Sequence, residues 1–121
     1  MSVYLGTLSE ASTARYRATM YDETDTVIDG TALNSLTLTL YDKRTRAIVN
    51  SRNAQDVKNA NGVVVTSDGA LTWTISKDDT AVLGASKTER HVAVFVGTWS
   101  AGSKQFVHDI EMDVINIHGV G

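Results

Sequence analysis

Apolar and polar side chains alternate with a period of two along much of this 121-residue chain, the spacing that sends successive residues to opposite faces of a β-strand. Ala14, Tyr16, Ala18 and Met20 alternate with Arg15, Arg17 and Thr19, which predicts a strand over 13–21 with one dry face. Leu36, Leu38 and Leu40 alternate with Thr37, Thr39 and Tyr41 in a second strand. Residues 46–50 (RAIVN) read as a short third strand, with Asp42–Thr45 as the intervening turn. Val63–Thr66 and Ala70–Ile75 flank Ser67, Asp68 and Gly69, a hairpin signal in which glycine supplies the positive φ. Asn61-Gly62 marks another turn just before it. Two long strands follow, over 90–99 and 104–117, joined by residues 100–103 (SAGS).

No segment holds a helical period for three turns. The one helical fragment is 76–84 (SKDDTAVLG), where Ser76 followed by Asp79 resembles a capping box and Gly84 is placed to end a single turn. About seven short strands, with a helical turn near 77–83, predict an all-β antiparallel sandwich; an up-and-down barrel is the alternative. The expected core comprises Leu36, Leu38, Leu40, Trp73, Ile75, Val92, Val94, Ile110 and Met112. Residues 13–117 form the sandwich in this reading, with an arm over 1–12 and a tail over 118–121. The arm carries Val3, Tyr4, Leu5 and Leu8 among glycine and serines that discourage a long strand, so these apolar groups are expected to lie on another subunit.

Composition narrows the chemistry. The chain has no cysteine, which excludes disulfides and thiolate metal sites and fits synthesis in a reducing cytoplasm. It has no proline either, so glycine, asparagine and aspartate must punctuate its loops. No apolar run is long enough to span a membrane, and no charged-then-apolar leader opens the chain, so neither a membrane role nor secretion through a signal peptide is expected.

No constellation of catalytic residues emerges. A G-x-S-x-G elbow, H-E-x-x-H and G-x-x-x-x-G-K are all absent. His108 shares a strand face with Phe106, Ile110, Met112 and Val114, which reads as a histidine satisfied at the core edge, without a second metal ligand at a usual spacing. The acidic stretch 22–25 (DETD) and the pair Asp78-Asp79 lack the ordering of a calcium loop and read as solvated turns. No cofactor, metal or catalytic residue is assigned, and the chain is expected not to be an enzyme.

Charge is unevenly distributed. Residues 31–58 carry five basic and two acidic side chains, residues 1–30 two basic and five acidic, and residues 105–121 three acidic and none basic. Asp109, Glu111 and Asp113 recur at spacing two and form an acidic stripe on one face of the last strand, solvated or paired with Arg15 and Arg17. Lys43, Arg44, Arg46 and Arg52 cluster at a hairpin with only Tyr41 for an aromatic neighbour, and the net charge is −3. That layout suits a protein contact with an acidic partner better than nucleic acid, which asks for a broad basic face with stacking platforms. Strand 90–99 is apolar on both faces, Val92, Val94 and Val96 on one and Ala93, Phe95 and Trp99 on the other. It is therefore either a central strand partly covered by loops or one that packs on another subunit.

Three segments carry a family resemblance: 38–57 (LTLYDKRTRAIVNSRNAQDV), 61–83 (NGVVVTSDGALTWTISKDDTAVL) and 91–105 (HVAVFVGTWSAGSKQ). Together they resemble the small immunoglobulin-like domains of tailed-bacteriophage virions. These include the N-terminal domain of upper baseplate proteins and short stand-alone head and tail structural proteins. The resemblance spans about residues 13–117 and implies an immunoglobulin-like β-sandwich, made in the host cytoplasm and built into the virion in many symmetric copies. A module without an appended domain is expected to be a capsid decoration (cement) protein, with the major capsid protein or a neighbouring virion protein as partner and with the contacts made by the interface residues named above. The alternatives are a head–tail joining or tail/baseplate component and, from another class, a carbohydrate-binding or adhesive module in which Trp73 and Trp99 would stack on sugar.

Overall fold

The computed structural model describes residues 3–83 and 87–115. Its strands are β1 (Val3–Ser9), β2 (Ala14–Thr19), β3 (Ser35–Asp42), β4 (Gln55–Asp56), β5 (Val63–Val65), β6 (Ala70–Ile75), β7 (Thr88–Trp99) and β8 (Lys104–Ile115). One sheet has the order β1-β8-β7-β3-β4 and the other β2-β6-β5. Every pairing is antiparallel except β1 with β8, which is parallel. The two sheets pack face to face, so the chain is an all-β sandwich as the alternation predicts.

The core lies where the dry faces meet. Leu36, Leu38 and Leu40 of β3 and Ala93 and Phe95 of β7 face Leu71, Trp73 and Ile75 of β6, and Ile110, Met112 and Val114 of β8 complete the layer. Trp73 and Phe95 meet edge to face across the sandwich, with ring centroids 5.6 Å apart. Val94 departs from the expected core. The dry parity of β7 is that of Ala93 and Phe95, so Val94 points outward and is only half-buried. Gly97 is set by packing: the Phe106 ring, its cross-strand neighbour, lies 2.1 Å from where a Cβ would sit.

Four segments depart from the sequence pattern for identifiable reasons. The expected arm is a strand, because Gly6 (φ +125) sits in a β-bulge. The bulge inserts Leu5 between the pairs Tyr4–Glu111 and Gly6–Met112, resetting the alternation so that Leu5 and Leu8, three apart, both reach the core. Residues 46–50 are not a strand: Arg46, Asn50 and Ser51 have φ of 66, 55 and 55, incompatible with extended backbone. That loop still tracks β3, with Val49 N–H donating to the Leu40 carbonyl at 2.8 Å.

The segment expected to be helical near 77–83 forms hydrogen-bonded turns over 77–80 instead. Ser76 and Asp79 do exchange the bonds of a capping box: Ser76 N–H donates to Asp79 Oδ2 at 2.9 Å and Asp79 N–H to Ser76 Oγ at 3.3 Å. The Thr80 carbonyl accepts from Ala11 N–H at 3.4 Å, which ties this turn to the segment after β1. Gly84 and the tail 118–121 lie outside the described residues. Among these residues, the one helical turn is a 3-10 turn at Gly30–Ala32, capped by Asp29. The hairpin at Gly69 (φ +83) is as expected.

Candidate functional site

The outer face of the five-stranded sheet carries Tyr4 and the acidic stripe among the residues singled out by sequence. Cross-strand register arranges them in rows: Thr37–Val96–Val107, Thr39–Val94–Asp109 and Tyr41–Val92–Glu111, with Arg90 opposite Asp113 at the far end. Strand β1 adds Tyr4 beside Glu111 and Thr7 beside Asp113. The face therefore grades from a valine and threonine end to a charged end.

At the charged end, Glu111 and Asp113 of the acidic stripe are paired within the chain. Arg90 forks onto Asp113, Nε to Oδ1 at 2.9 Å and Nη2 to Oδ2 at 3.0 Å, while Nη1 reaches Glu111 at 3.5 Å. Tyr4 Oη donates to Asp113 Oδ2 at 2.9 Å, and the Arg90 guanidinium lies 5.2 Å from the Tyr4 ring centroid. The hydrogen bonds from Arg90 hold the Asp113 carboxyl below its ordinary range. Lys43 Nζ donates to Glu111 at 3.0 Å, so the basic hairpin and the acidic stripe meet inside one molecule. Arg15 and Arg17, considered as partners of the stripe, lie on β2 in the opposite sheet.

The remaining expected contact residues divide sharply. Val3 and Tyr4 are exposed, whereas Leu5 and Leu8 are half-buried against the core and are not free to cover another subunit. Arg44 and Arg46 are exposed at the turn, with Arg46 5.6 Å above the Tyr41 ring.

Arg52 is not a surface residue. It is 4% exposed and forks onto the fully buried Asp79, Nε to Oδ1 at 2.5 Å and Nη2 to Oδ2 at 3.2 Å. Its other donors reach Gln55 Oε1 at 2.9 Å and the Asn61 carbonyl at 3.0 Å. Asn50 and the Ser76 N–H also donate to Asp79, both at 2.9 Å. Burial pushes the Asp79 carboxyl up, but these donors outweigh it and hold the group below its ordinary value. Asp79 is thus a buried anchor and not part of a solvated turn, unlike Asp22, whose Oδ1 caps an exposed turn through Thr24 and Thr26.

His108 sits at the core edge as expected. It stacks on Tyr16 of the facing sheet, Nε2 to Oη at 2.7 Å, and burial lowers its basicity. Trp73 is fully buried and Trp99 packs against Phe106 with centroids 6.1 Å apart, so Trp73 is not available for stacking on a sugar.

A second cluster was not visible in the sequence. Asp42, Glu89 and His91 are all buried, and a ligating atom from each lies within 4.8 Å of the other two. Sheet geometry alone brings them together: Asp42 and His91 are direct cross-strand partners, and Glu89 is two residues from His91 on the same face of β7. His91 Nε2 lies 3.0 Å from Glu89 Oε1, and Nδ1 lies 3.3 Å from the Asp79 carbonyl. A surface depression of about 360 Å³, lined in part by Asp42, Arg44, Leu83 and Glu89, opens beside them. Spacings of two and 47 along the chain resemble no familiar ligand motif; only the β3–β7 register could have revealed the group.

No protein-family model matches the chain, and no curated protein matches it. Among solved structures, a family 123 glycoside hydrolase from Clostridium perfringens, described for glycolipid glycan hydrolysis, is similar at 11% identity and a TM-score of 0.31. The match covers 95% of this chain but only 23% of that one, and likeness at this level carries no argument about activity.

Proposed function

We propose that the chain is a non-enzymatic structural protein of a tailed-phage virion, a decoration protein seated on the capsid surface in many copies. The resemblance of residues 38–57, 61–83 and 91–105 to virion immunoglobulin-like domains motivates the reading. The observation that carries it is the outer face of the five-stranded sheet. Val94 and Val96 lie half-buried between threonines there, and Val107 is 60% exposed beside them. A face of β-branched side chains with no covering layer among the described residues suits a protein surface laid against it. Arg44 and Arg46 at the adjoining turn remain exposed and would orient that contact more than drive it, since exposed ion pairs contribute only about 0–1 kcal/mol each.

The test is mass spectrometry and particle imaging of virions purified from the phage that encodes the gene, with and without it. The expected result is the protein in stoichiometric multiple copies, with density over the head that disappears on deletion. Its absence from purified particles would overturn the proposal, and density confined to the neck or tail would move it to the joining role.

A further inference from the structure

We propose that Asp42, Glu89 and His91 form a binding site for a divalent first-row transition cation, with zinc or manganese as the natural occupants of one imidazole and two carboxylates. The argument begins with the imidazole tautomer. A backbone carbonyl can only accept, so the contact from His91 Nδ1 to the Asp79 carbonyl places the ring proton on Nδ1. The other ring nitrogen, Nε2, faces Glu89 Oε1, only 3.0 Å away. A ring nitrogen and a carboxylate oxygen this close share either a proton or a metal ion.

The surroundings favour the metal. A ligating histidine ordinarily donates its other N–H to a carbonyl or carboxylate, as Nδ1 does here. Neighbouring ligands around an ion with bonds of about 2.0–2.2 Å stand roughly 3–3.5 Å apart, the separation His91 and Glu89 already have. Asp42 supplies the third donor. Its Oδ1 accepts both nearby backbone donors, Arg44 N–H at 2.8 Å and Thr45 N–H at 3.3 Å, and its Oδ2 has no donor among the described residues. Asp42 is only 4% exposed, and it lines the depression through which an ion would enter. Glu89 Oε1 also accepts the Leu83 N–H at 2.9 Å, which fixes that carboxylate's orientation, as hydrogen bonds to ligating carboxylates ordinarily do. Arg90 also borders the depression, and its guanidinium is committed to Asp113 on the outer face.

An ion here would join the end of β3 to the start of β7 and, through the Asp79 carbonyl, to the turn that holds the Arg52–Asp79 pair. It would act as a structural clip. Chelator-stripped protein should bind one equivalent of zinc in calorimetry with micromolar or tighter affinity and melt about 5 °C or more higher with zinc in large excess. Nitrogen-detected imidazole spectra should show His91 Nε2 changing from a protonated or bare nitrogen to a metallated one. The isosteric pair Asp42→Asn, Glu89→Gln should lose more than the roughly 10–100-fold in affinity that outer-shell changes cost. Absence of binding, or equal binding by that variant, overturns the site. Should the variant fail to fold, the wild-type spectrum decides: a proton retained on His91 Nε2 at zinc saturation means that imidazolium, and not a metal, holds the cluster together.

Discussion

Two ion-pair clusters, built from the same side-chain chemistry, lie in opposite environments. Arg52 and Asp79 are almost completely shielded from water, and further partners come from Gln55 and from the turns at 50–52, 61–62 and 76–80. Arg90, Lys43, Glu111 and Asp113 lie on an open sheet face, where the Arg90 and Lys43 side chains are 43% and 55% exposed. Water and salt weaken the second cluster at little cost to the fold. The first has no such substitute: removing one member strands the others in a dry interior. The buried pair organises loops that have no regular hydrogen-bond ladder, whereas the exposed cluster decorates strands already held by their own ladder.

The difference can be broken most directly at Asp79. Asp79→Ala should destabilise the protein by about 3–5 kcal/mol, measured by denaturant unfolding, because it leaves the Arg52 guanidinium buried without its counter-charge. The paired change Arg52→Met, Asp79→Leu should recover only part of that loss, since the Asn50 amide, the Asn61 carbonyl and the Ser76 N–H would still lose the partners they have now. Full recovery would show that the charges alone matter. An Asp79→Ala loss no larger than that of surface variants would remove the distinction between the clusters.

Acid titration sharpens it. The Asp79 carboxyl is depressed in the folded state, so its contribution is complete above the unfolded value of about 3.9 and is lost as pH falls through the lower folded value. Melting curves should therefore fall steeply below about pH 4, and the Arg52→Met, Asp79→Leu variant should show a shallower fall. His108 acts in a separate window. Its basicity is reduced by burial, so the unfolded chain takes up a proton first and stability declines as pH drops below about 6.5. His108→Gln should flatten that earlier decline and leave the acid limb unchanged.

Smaller effects are expected on the open face. Lys43→Gln should shift the melting midpoint by no more than a few degrees, and the shift should vanish at about 1 M salt, where screening is short-ranged. The double variant Arg44→Glu, Arg46→Glu should leave stability unchanged, because both side chains are exposed at a turn. It should weaken incorporation into particles and alter its salt dependence; normal incorporation would remove the turn from the proposed contact.

Local alternation was sufficient to determine the sandwich and most of its core, because a strand with one dry face must repeat its apolar residues every second position. Leu36, Leu38 and Leu40, the paired strands around Gly69 and the long strands β7 and β8 were all legible for that reason, and so was the placement of His108 at the core edge. Val94 was misplaced because β7 is apolar on both faces, and alternation alone does not say which parity faces the other sheet. Strand β1 was hidden by a bulge that resets the period at Gly6. The fates of the charged residues depended on pairings between distant segments. Twenty-seven positions separate Arg52 from Asp79 and 68 separate Lys43 from Glu111, and nothing local distinguishes Arg52 from its exposed neighbours Arg44 and Arg46. The Asp42–Glu89–His91 cluster depends in the same way on the register of β3 against β7, which the packing of the whole sandwich sets. Periodicity is a property of a few neighbouring residues, whereas burial and charge pairing are properties of the assembled sheets, so only the tertiary structure could decide them.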